Sequence, residues 1–158
     1  MKFQKEDNFL SIHKGHIVNN SNITWVLKPI DGIENFINGY PHFSISLCSM
    51  TDNEITTAVV IDPIRREEFS ASVGGGADLN NNKIRASKQN SLEDAMLSFK
   101  KSKKNSEFNF EKAYKELANQ NLNMRESGCL SLDLSYVGAG RLDGCLLYTS
   151  PSPRDDEL

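Results

Sequence analysis

The chain has 158 residues, enough for one domain with its own core. With 38% hydrophobic and 25% charged residues the balance is that of an ordinary globular protein, and a net charge of -3 exerts no global pull toward nucleic acid. No apolar run approaches the roughly 20 residues that span a bilayer, so no membrane partner is expected.

Met1 to Leu10 is charged and reads as neither a signal nor a transit peptide. Ile23 to Leu27 is a short apolar, β-prone run ended by Lys28-Pro29, which predicts a buried strand. Asp31-Gly32 is a turn signal. Ile33, Phe36 and Ile37 recur at helical spacing for about one turn, stopped by Gly39 and Pro41. Phe43 to Met50 alternates apolar and polar and predicts a strand. Thr51-Asp52-Asn53 makes a hairpin turn, and Ile55 to Ile61 is the returning strand, closed by Asp62-Pro63. A third strand is expected over Glu68 to Val73. Gly74-Gly75-Gly76 is a tight hairpin rather than a P-loop, since no Lys-Ser/Thr follows, and Asn80-Asn81-Asn82 is a loop.

Leu97 to Phe99 is a short strand candidate, and the lysines of Phe99 to Lys104 read as a loop or solvated face. Phe108 to Gln120 is the clearest amphipathic helix, with Phe110, Ala113, Tyr114 and Leu117 on one face. Leu122 to Glu126 predicts a strand. A helix then runs from about Cys129 to Ala139 and stops at Gly140-Arg141. Alternating elements with tightly joined strands imply α+β or a mixed α/β layered sandwich, with much antiparallel pairing. Cys48, Cys129 and Cys145 are few and widely spaced, which implies a reducing, cytoplasmic setting. Residues 1–146 form the expected domain. The tail 147–158 is Ser/Pro/Asp-rich and aperiodic. It reads as disordered or as sequence foreign to the fold, in the manner of translated adapter sequence.

The turn at Asp31 has a chemical use. The glycine lets backbone approach a ligand, and the N–H groups that open the following helix can face a phosphate. A carboxylate just before them can hold Mg²⁺ against the same phosphate. Taken alone, an Asp-Gly pair is also an ordinary strand-to-helix turn.

The pattern around it is more specific. Trp25, Val26, Pro29, Ile30, Asp31, Gly32, Asn35 and Phe36, then Gly39, Pro41, Phe43 and Leu47, resemble the signature of the inositol monophosphatase family. The likeness continues through Ala58 to Phe69, Gly74 to Ser87 and Arg125 to Gly144, in the right order. It implies an inositol monophosphatase/fructose-1,6-bisphosphatase-like fold, here incomplete at both ends, and a Mg²⁺-dependent phosphomonoesterase ancestry. The implied substrate is a small inositol, polyol or sugar monophosphate, with a homodimer allowed.

The resemblance assigns Asp31 as the catalytic, metal-ligating carboxylate and the Ile30 carbonyl as a further metal ligand. The N–H groups of Gly32 and Ile33 would hold phosphate oxygens. Gly128, Cys129 and Leu130 would lie beside the substrate. The departures from the family pattern matter as much. Lys28 stands where a carboxylate is usual, and Ile33 replaces a threonine. Ile12 and His13 replace paired glutamates. The acid expected near Leu147 and the later Trp-Asp helix are absent. A protonated lysine has no lone pair for Mg²⁺, so Lys28 either pairs with Asp31 or offers its charge to a phosphate. The expectation is therefore a weakly active or inactive member of the family. The alternative is a non-catalytic phosphate- or protein-binding member of the same fold, or a truncated chain that does not fold stably.

Overall fold

A computed structural model describes residues 4–11, 15–100, 114–117, 119–120 and 122–147. Ile12 and His13, Lys101 to Lys104, most of the helix expected over Phe108 to Gln120, and the tail after Leu147 lie outside these residues. Within that helix, residues 114–117 are helical.

Eleven strands and two helices are labelled here. They are β1 (Asn8–Ser11), β2 (Gly15–Ile17), β3 (Ile23–Asp31), α1 (Ile33–Ile37), β4 (Ser44–Thr51), β5 (Glu54–Asp62) and β6 (Glu67–Ser72). Then follow β7 (Gly76–Leu79), β8 (Asn82–Lys83), β9 (Met96–Lys100), β10 (Asn123–Arg125), α2 (Leu130–Gly138) and β11 (Gly144–Leu147). The first eight strands form one sheet in the order β2-β1-β3-β4-β5-β6-β7-β8, antiparallel except where β1 lies parallel to β3. A second, parallel sheet has the order β10-β9-β11. Helix α2 packs against β4 and β5 of the large sheet and against β11 of the small one, giving the layered α/β arrangement.

The core is built where α2 meets the large sheet. Phe69, Cys129 and Leu132 are buried together, and Val60, Leu79, Ile84, Tyr136 and Ala139 pack around them. At the other end of the large sheet, Trp25 is buried and its indole N–H donates to Asp7 at 2.9 Å. Helix α1 buries no residue. Phe36 and Ile37 stay 53% and 74% exposed, so its apolar side lies uncovered. No helix among the described residues is long and apolar enough to cross a membrane.

The strand expected to stop at Leu27 runs on to Asp31. The register with β4 slips between Lys28, opposite Ser46, and Asp31, opposite Ser44. Three residue steps on β3 thus face two on β4, which places Pro29 and Ile30 in a bulge. Proline lacks an N–H donor and is tolerated at such a bulge, so it does not end the strand. The slip also has a geometric result. Residues three apart on a regular strand point to opposite faces, and one extra residue brings Lys28 and Asp31 to the same side.

The expected glycine hairpin and asparagine loop are turns at Gly74-Gly75 and Asn80-Asn81, but Gly76 and Asn82 already open strands. Gly76–Leu79 and Asn82–Lys83 pair as β7 and β8, joined at Asn80 and Asn81, whose φ angles of 48° and 64° suit a hairpin turn. Strand β11 extends through Leu147, one residue beyond the expected domain boundary. Asp143 Oδ2 accepts the Met96 N–H at 2.8 Å, at the start of β9.

Candidate functional site

Asp31 ends β3 and is 3% exposed. Gly32 follows with φ 84° and turns the chain into α1. A Cβ at Gly32 would stand 3.0 Å from the His42 carbonyl oxygen and 3.3 Å from Cys129 Cβ, so glycine is required by both conformation and space. Asn35, in α1, clamps this turn to the loop before α2. Its Nδ2 donates to the His42 carbonyl at 2.7 Å and to the Ser127 carbonyl at 2.8 Å. Sequence reasoning had placed Asn35 in the motif but given it no task.

The two carboxylate oxygens of Asp31 are both engaged. Oδ1 accepts from Lys28 Nζ at 2.5 Å. Oδ2 accepts from the Ser131 backbone N–H and from the Ser131 hydroxyl, each at 2.7 Å. The Cys129 thiol lies 3.8 Å from the same oxygen and donates to the Asp31 carbonyl at 3.5 Å. Burial alone would push the Asp31 carboxyl above its usual range. The contacts from Lys28 and Ser131 outweigh it and hold the carboxyl below its usual range. Ser131 is the residue that sequence reasoning missed. Its only signal was a hydroxyl near the start of a predicted helix.

Asp31, Gly32, Ile33, Ile30, Gly128, Cys129 and Leu130 all border one cavity of about 340 Å³. The strand end, α1 and the start of α2 supply these seven, and β9 adds Lys100. Two lysines, Lys28 and Lys100, share the wall with the acids Asp31, Glu34, Glu126 and Asp133. Cys129 is fully buried, and burial pushes its thiol up, which argues against a nucleophile. Asp133 is also buried. Burial pushes its carboxyl up, against the opposing pull of a hydrogen bond from the Ser127 hydroxyl.

Mg²⁺ needs near-octahedral oxygen ligands and gives up its waters only where carboxylates converge. Among the described residues no three His, Cys, Asp or Glu side chains come together in that way. Asp31, the carboxylate that the family pattern retains, is tied to an ammonium and to a helix. The described residues do not fit the metal.

Residues 2–155 match the sequence profile of the inositol monophosphatase family. The Nus factor SuhB of Pseudomonas aeruginosa is 42% identical over 123 residues, covering 75% of this chain and 45% of that protein. The solved extragenic suppressor protein suhB of Bartonella henselae superposes with a TM-score of 0.82 at 28% identity, covering 91% of this chain and 56% of that one. An inositol monophosphatase from Anabaena superposes at 0.81 and 26% identity, covering 95% of this chain and 60% of that one. The chain spans about half the length of the curated relatives it matches.

Proposed function

The chain belongs to the inositol monophosphatase family, and from that premise we propose that it is a phosphate-ester-binding member with weak or no turnover. The Asp31 cavity takes small inositol, polyol or sugar monophosphates. The observation that carries this reading is the closed set of donors around Asp31, in which Lys28 stands where a metal-holding carboxylate is usual.

Lys28 has three ammonium donors and gives one to Asp31, so two remain for an anion. Its side chain is 33% exposed and borders the cavity. The N–H groups of Gly32 and Ile33, at the opening of α1, supply further donors for phosphate oxygens. Gly128, Cys129 and Leu130 bound the space where the rest of the ester sits. Hydrolysis lacks its parts. Both Asp31 oxygens already accept hydrogen bonds, from Lys28 and from Ser131, and Ile33 has no hydroxyl to orient a water.

The test is phosphate release from inositol monophosphate in the presence of Mg²⁺. Release near background is expected. Turnover in the ordinary enzyme range, roughly 1 s⁻¹ or more, would overturn the reading. Lys28→Asp alone should not restore full activity, because Ile12, His13 and Ile33 still stand where the family pattern has two glutamates and a threonine.

A second reading, a non-catalytic role in binding another protein, is favoured by the likeness to relatives called Nus factor SuhB. Absence of phosphate-ester binding both with Mg²⁺ and in EDTA would leave that reading in place.

A further inference from the structure

An open cleft of about 450 Å³ adjoins the Asp31 cavity and shares Glu126 and Asp133 with it. Its lining includes His42, Tyr136 and three guanidinium groups, those of Arg65, Arg125 and Arg141. His42 is 8% exposed, and its buried Nε2 has no hydrogen-bond partner. An unpaired buried nitrogen is uncommon in a folded protein and calls for an occupant. Burial, helped by the Arg65 charge, holds the imidazole below its usual range against the opposing pull of Asp133 and Asp62. At neutral pH the ring is therefore uncharged and keeps one acceptor nitrogen.

The three guanidinium groups are not equivalent. Arg65 donates to Asp62 at 2.8 Å, and Arg141 forms a two-pronged pair with Glu67 at 2.7 and 2.6 Å. Arg125 has no carboxylate partner among the described residues, and its Nη1 donates to the Met124 carbonyl. The cleft thus offers a cation with spare donors at one place and a buried, unpaired imidazole nitrogen at another. Glu126 and Asp133 face the same space, which disfavours a ligand that carries acceptors alone.

We propose that this cleft is a second ligand site, separate from the Asp31 cavity, and that it takes a hydrogen phosphate group with its anionic oxygens on Arg125 and its O–H directed to His42. An ionised carboxylate has no O–H to give and fits less well. Inorganic phosphate and a phosphomonoester share the required chemistry in their monoanionic form, which keeps an O–H and gains in population as pH falls toward about 6.

The test is an NMR titration of the whole chain with inorganic phosphate, glycerol phosphate and acetate. The His42 ring signals report the cleft, and the Gly32 and Gly128 amide signals report the Asp31 cavity. Phosphate or glycerol phosphate should shift the His42 signals saturably, and acetate should not. The tighter of the two phosphates identifies the free ion or the ester as the natural source. Arg125 is exposed, so Arg125→Gln removes the charge without disturbing the core. That variant should weaken the His42 response about tenfold and leave the glycine response in place. Lys28→Ala should do the reverse. His42 signals that stay still, that move equally with acetate, or that respond unchanged in Arg125→Gln would overturn the proposal. A response at His42 without one at the glycines would sustain the cleft and reject ligand binding at Asp31.

Discussion

Asp31 and Ser131 stand 100 residues apart in the chain, and Asp31 Oδ2 accepts both the backbone N–H and the hydroxyl of Ser131 at 2.7 Å. Cys129, at the N-cap of α2, makes no side-chain capping bond. The carboxylate at the end of β3 therefore satisfies a donor that the helix leaves unpaired, and its negative charge suits that end of the helix. An acid that sequence reasoning assigned to a metal serves here as the joint between sheet and helix.

Removing that joint should destabilise the fold. Asp31→Ala leaves the Ser131 donors unpaired and Lys28 without its counter-ion. The cost should be about 2–4 kcal/mol. Most of it comes from the Ser131 side, because Lys28 is partly exposed and its pairing is screened by solvent. Urea unfolding of the two proteins checks this. A loss below about 0.5 kcal/mol would mean that the joint carries little of the stability.

The two buried acids beside α2 should respond to pH in opposite directions. Asp31 is held below the ordinary 3.8, so its contribution is present above that value and is lost as pH falls through the lowered one. Burial holds Asp133 above 3.8, so its contribution is complete below that value and is lost as pH rises through the raised one. Asp133→Asn should accordingly be more stable relative to wild type at neutral pH than in acid. Asp31→Asn should show the opposite trend. Urea unfolding near pH 7 and near about pH 3 measures both trends.

The clamp at Asn35 gives a coupled pair of variants. Gly128 has φ 80°, and a Cβ there would stand 3.0 Å from both amide atoms of Asn35. Gly128→Ala strains the backbone and pushes on the clamp, at a cost of about 1–3 kcal/mol. Asn35→Ala removes two hydrogen bonds to carbonyl groups, at a similar cost of about 1–3 kcal/mol. The double variant should lose less than the sum, since Asn35→Ala also relieves the crowding. Strict additivity in thermal or urea unfolding would show that the two residues act independently.

The hairpin of β4 and β5 was legible because β4 alternates apolar and polar residues, β5 is a β-branched run, and Asp52-Asn53 supply positive φ angles of 53° and 67°. Helices α1 and α2 were legible from spacing and from the glycines that bound them. The far end of β3 was not, because Lys28-Pro29 is a local stop signal that the pairing with β4 overrides by a bulge. Strands β7 and β8 were hidden by glycine and asparagine, whose partners across the sheet supply the order that their own side chains do not. In the site, the motif brought Asp31, Gly32, Ile33, Gly128, Cys129 and Leu130 to one cavity. The partner of Asp31 was not legible, because no periodicity links a strand end to a serine 100 residues later.

In the proposed function Lys28, rather than a metal, supplies the positive charge beside Asp31. Calorimetric titration of the whole chain with inositol monophosphate, once in EDTA and once with Mg²⁺, distinguishes the two. Binding of equal affinity in both conditions, lost in Lys28→Ala, is the predicted result. Binding that requires Mg²⁺ and survives Lys28→Ala would contradict it.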